Sequence, residues 1–245
     1  MSTNQNTVFT LGYKHKEPYG APLLQTYPER VKSLVLRGVS TMRVAELVHS
    51  RRGPNGAAKF YPEMYEQFIG LLPADERKDP IAAYYKRLTS EDEEVLFSAA
   101  REWNRWDLTM GYLRCAPDAY ARLDDAPLSV THAKLEAHYF AHAAFLEEGQ
   151  LLSGPNIDKM KHIPGDFASF NVFRISSSVF ENHLTAPSVG AIVQGRYDLT
   201  TPPQIAWELH ITWPNSTVYS IDAAGHSATR AEQRAVGAAN TNKAG

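Results

Sequence analysis

Residues 191–227 read AIVQGRYDLTTPPQIAWELHITWPNSTVYSIDAAGHS, and the order of features in this stretch sets the architecture. An apolar run, Ala191-Ile192-Val193, breaks at Gly195 into Arg196-Tyr197-Asp198. A helix-like segment follows, then a second strand-like run from Thr217 to Ile221, and then Ala224-Gly225-His226-Ser227. Short apolar runs closed by glycine or turn residues read as buried strands. An acid just past one parallel strand and a histidine just past the next reach the same edge of a sheet. There the acid can orient the imidazole, and the imidazole can serve as general base.

The wording is more specific than the order. Val193-Gln194-Gly195-Arg196-Tyr197-Asp198, Ala206-Trp207-Glu208-Leu209-His210 and Asp222-Ala223-Ala224-Gly225-His226-Ser227 resemble the C-terminal part of the prolyl aminopeptidases (proline iminopeptidases). The resemblance implies an α/β fold, the C-terminal part of an α/β-hydrolase sheet with an inserted helical cap domain. It also implies removal of an N-terminal proline from peptides by a Ser-Asp-His triad, with no metal and no cofactor. On that resemblance Asp198 is the triad acid and His226 the triad base, and their spacing of 28 residues matches the family pattern. Taken singly, each has a plainer reading: Asp is a common turn former at strand ends, and a histidine after a strand is often structural.

At 245 residues and 43% apolar content, the chain can bury one substantial core, as one domain or one domain plus a cap. A net charge of -2 gives no footprint for nucleic acid or an anionic membrane surface. The single cysteine, Cys115, can neither staple the fold nor form a zinc or redox pair, and reads as an incidental thiol. The first twenty residues hold no signal-like apolar core, and no stretch approaches a membrane span, so a soluble, cytoplasmic protein is expected. Oligomeric state is not legible.

Residues 1–20 are polar and match nothing in the family. Residues 21–38 read as a remnant of the hydrolase sheet: Leu23 to Val31 resembles the end of the helix after the nucleophile, and Val31 to Gly38 reads as a buried strand. Residues 39–162 form the expected helical cap, with apolar residues at helical spacing at Met64, Phe68, Leu71 and Leu72 and again at Ile81, Tyr84, Tyr85 and Leu88. Ser90-Glu91-Asp92-Glu93 reads as a capping box with Ser90 as N-cap. Residues 163–190 read as an insertion, a retained intron or a lineage-specific loop, because Gly165 to Val189 resembles nothing in the family. Residues 191–228 are the sheet portion carrying acid and base, and 229–245 are a tail in which only Ala231 to Ala239 suits a helix.

An aminopeptidase must hold a free, positively charged amine, which calls for partly desolvated carboxylates. In the prolyl aminopeptidases these lie in the cap, within a Trp-x-x-Trp-Glu stretch and before a His-Tyr-Phe stretch. The counterparts are Trp103-Asn104-Arg105-Trp106-Asp107 and Leu135-Glu136-Ala137-His138-Tyr139-Phe140. The resemblance therefore assigns amine binding to Glu136 and Asp107, the latter one methylene shorter than the family's glutamate. Without the flanking aromatics, both would read as acids on solvated helix faces. Glu147 and Glu148 read as surface charge or capping groups. Glu46 to Gly53 departs from the family, its basic cluster Arg51-Arg52 replacing aromatic residues and altering the pocket rim.

The nucleophile elbow requires Gly-x-Ser-x-Gly between strand and helix. No such motif occurs in the 245 residues. An ungapped register places Gly12-Tyr13-Lys14-His15-Lys16 at the elbow, with Lys14 at the nucleophile position. Gly38-Val39-Ser40 is the nearest Gly-x-Ser, but Met42 stands where the second glycine belongs. The loop for an oxyanion donor is absent too, and about half the sheet is expected to be missing. Little activity is expected of the chain as given, because a triad without its nucleophile loses several orders of magnitude in rate. Three readings stand: a prolyl aminopeptidase lacking its N-terminal half, a non-catalytic truncated homologue that binds a partner, or another α/β-hydrolase such as an esterase.

Overall fold

The apolar runs pair as parallel strands. The computed structural model describes residues 8–11, 25–28, 33–113, 117–161 and 190–227. Among these, β1 (Val8–Leu11), β2 (Ser33–Arg37), β3 (Gly190–Gly195) and β4 (Ser216–Ile221) form one parallel sheet in sequential order. In register, Val35 lies opposite Ala191, and Gly190 to Gly195 run opposite Ser216 to Ile221. Cys115, the Gly12 to Lys16 register with Lys14, the insertion from Gly165 to Val189 and the helix at Ala231 to Ala239 lie outside the described residues.

The chain divides into two units. The first comprises Met1–Thr41 and Gly149–Gly245, and the second Met42–Glu148. In the first unit β3 has apolar neighbours on both faces, which explains its unbroken hydrophobic run. Ile192 joins Leu36, Val39, Ile157, Met160, Ile205, Ala206, Leu209 and Trp213 in one cluster, while Ala191 and Val193 pack on the other side with Tyr219 and Ile221. Full burial of a side chain such as Ile192 is worth roughly 1.5–3 kcal/mol. Helix α8 (Pro203–Thr212), opened by proline at its first turn, contributes Ile205, Ala206 and Leu209 to that cluster. Strand β1 lies in a segment for which no element is predicted. Its Val-Phe-Thr-Leu sequence suits a strand, and its backbone partner, β2, lies some twenty-five residues away, beyond the reach of a local reading.

The second unit is helical: α1 (Val44–Ser50), α2 (Pro62–Gly70), α3 (Pro80–Leu88), α4 (Glu93–Gly111), α5 (Pro117–Ala121) and α6 (Ala126–Ala141). Its core is aromatic, with Phe68 stacked on Tyr84 at 4.5 Å and Trp103 and Trp106 fully buried. The start of α4 differs from expectation. Asp92, not Ser90, is the N-cap, accepting from the amides of Glu94 and Val95, while the Ser90 hydroxyl accepts from the Asp92 amide. A carboxylate at the cap gains from the positive helix end, which a serine hydroxyl does not, and this favours the later start. The Glu148 carboxylate accepts from the Val44 amide at 3.1 Å and so caps α1 from afar in sequence. A further helix of the first unit, α7 (Gly154–Asp158), is short. Among the described residues, no helix is long and apolar enough to cross a membrane.

Candidate functional site

Two constellations of buried titratable side chains stand out among the described residues, one in each unit. In the first, Asp198 follows the end of β3 and His226 follows the end of β4, as their positions past the two strand ends predict. The His226 Nδ1 and Asp198 Oδ2 atoms are 2.9 Å apart, and both side chains are buried. The Thr201 amide and the Thr200 amide donate to Oδ1 at 2.8 and 3.0 Å. The Thr201 hydroxyl and the Gln194 amide group donate to Oδ2 at 2.9 and 3.0 Å. Gln194 also donates to the Thr201 carbonyl at 2.9 Å, which ties strand β3 to the turn carrying the acid. Both carboxylate oxygens are thus engaged.

Electrostatics follow from that geometry. Burial alone would push the Asp198 carboxyl up, but the facing imidazole and the Thr201 amide and hydroxyl outweigh it, so the carboxyl lies below its ordinary value. An ionised, acceptor-only Asp198 favours the proton on His226 Nδ1 and so leaves the imidazole lone pair on Nε2, an arrangement able to accept a proton there. Two further neighbours hold His226, one at its carbonyl and one at its ring. Arg37 Nη1 donates to the His226 carbonyl. Gly38, at φ +57°, passes so close that a Cβ there would lie 2.7 Å from His226 Cε1. Gly195 passes the carbonyl of Gly225 so closely that a Cβ would meet it at 2.1 Å, so β3 can approach the histidine loop only as glycine.

The second constellation lies among the helices. Asp107 is on α4 and Glu136 on α6, and a guanidinium joins them: Arg51 Nη2 contacts Glu136 Oε2 at 3.1 Å and also Asp107 Oδ1. The Trp103 indole N–H donates to the same Glu136 oxygen. Arg51 Cζ sits 4.3 Å from the Trp103 ring centroid and 5.1 Å from that of Phe140. Spacing explains the convergence, since Trp103 and Asp107 are one turn apart on α4, as are Glu136 and Phe140 on α6. Burial drives the Glu136 carboxyl well above its ordinary range.

Arg51 corrects one expectation. Its cluster reads in sequence as a modifier of a pocket rim, yet the residue is 1% exposed and sits between the carboxylates. The Trp106 indole donates to the Ser50 carbonyl at 2.7 Å and ends α1 there, which delivers Arg51 inward. The Tyr65 hydroxyl donates to the Arg51 carbonyl and accepts from the Gly53 amide, fixing the chain on either side. Asp107, His132 and Glu136 also bring ligand-type atoms within 4.8 Å of one another. Arg51 already shares both carboxylates, and its charge opposes a metal ion at those oxygens.

Thr201, Gln194 and Arg37 carry no assignment in the sequence analysis, and Gly38 enters there only as a strand end and as part of Gly38-Val39-Ser40. Thr201, three residues past the acid, carried a usable signal: a hydroxyl in the turn after a strand-end aspartate is placed to bond its carboxylate.

No family model matches the chain. It is similar to the proline iminopeptidase of Arabidopsis thaliana, 35% identical over 206 residues, covering 83% of this chain and 47% of that protein. The proline iminopeptidase of Neisseria gonorrhoeae is 35% identical over 83% of this chain and 56% of its own length. That of Xylella fastidiosa is 34% identical over 83% and 56%. The chain therefore spans about half the length of the curated relatives it matches. Among solved structures, a thermophilic esterase gives a TM-score of 0.41 at 16% identity, covering 97% of this chain and 65% of that one. An α/β-hydrolase enzyme from a deep-sea metagenome library gives 0.39 at 13%, covering 89% and 59%. Likenesses of that degree add nothing to the sheet topology described above. By sequence, 83% of the chain is similar to proteins named proline iminopeptidase, over about half of their length.

Proposed function

We propose that this chain carries the acid, the base and the amine-binding carboxylates of a cytoplasmic serine aminopeptidase that releases N-terminal proline from peptides. The observation supporting it most is the buried Asp198–His226 pair, held at 2.9 Å with every Asp198 oxygen accepting from a fixed donor. In the proposed reaction His226 Nε2 takes the proton of an attacking hydroxyl and returns it to the leaving amine, while Asp198 holds the imidazole and stabilises its charged form. Glu136 and Asp107 neutralise the substrate ammonium, helped by the aromatic faces of Trp103 and Phe140. The sequence holds no Gly-x-Ser-x-Gly, so hydrolysis by these 245 residues alone is absent or impaired.

Hydrolysis of a chromogenic prolyl amide by the purified chain tests this, with His226→Ala, an alanyl amide and an acetyl ester as controls. Absent turnover in both chain and variant supports a base without its nucleophile. Weak prolyl turnover lost in His226→Ala supports the acid–base assignment and reveals another nucleophile. Turnover unaffected by His226→Ala refutes the assignment, and ester cleavage exceeding prolyl cleavage transfers the chain to the esterases.

A further inference from the structure

The Arg51 contacts have an unusual economy. A guanidinium built as a permanent tie between carboxylates presents paired N–H groups to paired oxygens. Here one nitrogen, Nη2, meets both acids, while Nε and Nη1 are buried with no hydrogen-bond partner. Glu136 Oε1 and Asp107 Oδ2 are likewise buried without a partner. The fork is therefore mismatched to its surroundings, and the site is matched to a single cationic nitrogen. Nη2 carries two hydrogens and meets two acceptors, Asp107 Oδ1 and Glu136 Oε2. A protonated prolyl nitrogen also carries two hydrogens. The Trp103 and Phe140 rings beside the guanidinium are the surroundings that favour a desolvated cation.

We infer that Arg51 is a resident cation in the carboxylate pair, occupying the position that a substrate ammonium would take and excluding free amines while it stays there. This rests on the proposed role of Glu136 and Asp107. It makes Arg51 a determinant of which cations the pocket admits. The ion pair is complete within the chain, so an incoming amine has to displace a 1%-exposed guanidinium from two acids and two rings. Amine affinity is low for that reason, independent of any nucleophile. Removing the guanidinium leaves two facing carboxylates in an aromatic pocket, which then take up a small cation from solution.

Calorimetric titration of the full chain with prolinamide hydrochloride, and separately with guanidinium chloride, tests this against sodium chloride at equal ionic strength. In Arg51→Ala both cations are expected to bind at least about tenfold tighter than in the native chain, and Glu136→Gln added to that variant abolishes the gain. An Arg51→Ala variant that binds neither cation more tightly than the native chain overturns the inference. Uptake of guanidinium without prolinamide keeps Arg51 as the resident cation and removes the prolyl reading of the pocket, so the two failures are distinguishable. If Arg51→Ala does not fold, Arg51→Gln with Asp107→Asn removes one charge of each sign. The same titrations on that pair decide through Glu136 alone: guanidinium binding tighter than in the native chain supports the inference, and none overturns it.

Discussion

Replacing Asp198 by asparagine tests the acid–base pair without changing its shape. The carboxamide oxygen can keep the Thr200 and Thr201 amides, at 3.0 and 2.8 Å. The new NH2 then stands where Oδ2 accepts from Gln194, the Thr201 hydroxyl and His226. The hydroxyl can rotate to accept, and the imidazole can move its proton to Nε2. Gln194 cannot adjust without giving up its bond to the Thr201 carbonyl. At 2% exposure no water repairs the mismatch. Loss of one charge-assisted bond and creation of one buried unmatched donor together cost about 3–5 kcal/mol. Urea unfolding followed by circular dichroism should show a midpoint lowered by about 1–2 M at an unchanged slope. A midpoint within experimental error of the native one would refute the reasoning, because Asp198 could not then be bonded as described. The move of the proton to Nε2 also disables the base, so any residual hydrolysis should fall together with stability.

The depressed Asp198 carboxyl has a pH consequence. Stability from its ionised form is complete above the ordinary value of 3.8 and is lost as pH falls through the lower native value. Acid titration of unfolding should therefore be steeper for the native chain than for Asp198→Asn below pH 3.8, with parallel curves above it. Gly38→Ala combines a left-handed backbone with a Cβ 2.7 Å from the His226 ring and should cost about 2–3 kcal/mol in thermal unfolding, with a shifted His226 imidazole resonance. Gly195→Ala sets a Cβ against a backbone carbonyl rather than a ring, so its loss should exceed that of Gly38→Ala, above about 3 kcal/mol. Trp103→Phe keeps a ring beside Arg51 but deletes the donor to Glu136, and should lower the urea-derived stability by about 1–3 kcal/mol.

The legible part of the molecule is the part written in contiguous residues. Asp198 and His226 stand at the ends of strands that short apolar runs mark, and the stripes containing Phe68 and Tyr84 reveal buried helix faces. Glu136 was legible only through the aromatics beside it. Gln194 was hidden because a strand covered on both faces reads as an apolar run, and one polar residue in it looks like an interruption rather than a brace. Arg51 was hidden for a different reason. Its partners lie 56 and 85 residues away, and a charged residue after a short helix is solvated unless distant acids are brought to it. Strand β1 depends in the same way on a partner remote in sequence, and local polarity argues against it. At α4 the choice between Ser90 and Asp92 turned on an electrostatic preference that a pattern match ignores.

The strand order has a bearing on how the molecule assembles. The link between His226 and Asp198 closes a loop of 28 residues, whereas the Arg37 clamp on the same histidine closes one of 189. Loop-closure entropy makes the longer closure costlier by about 1.7 kcal/mol before any packing gain. In refolding, the acid and base should meet first, within one strand–helix–strand unit. The Arg37 clamp, whose ends are 189 residues apart, should follow. Slow steps should therefore act on the tightness of the histidine rather than on its pairing.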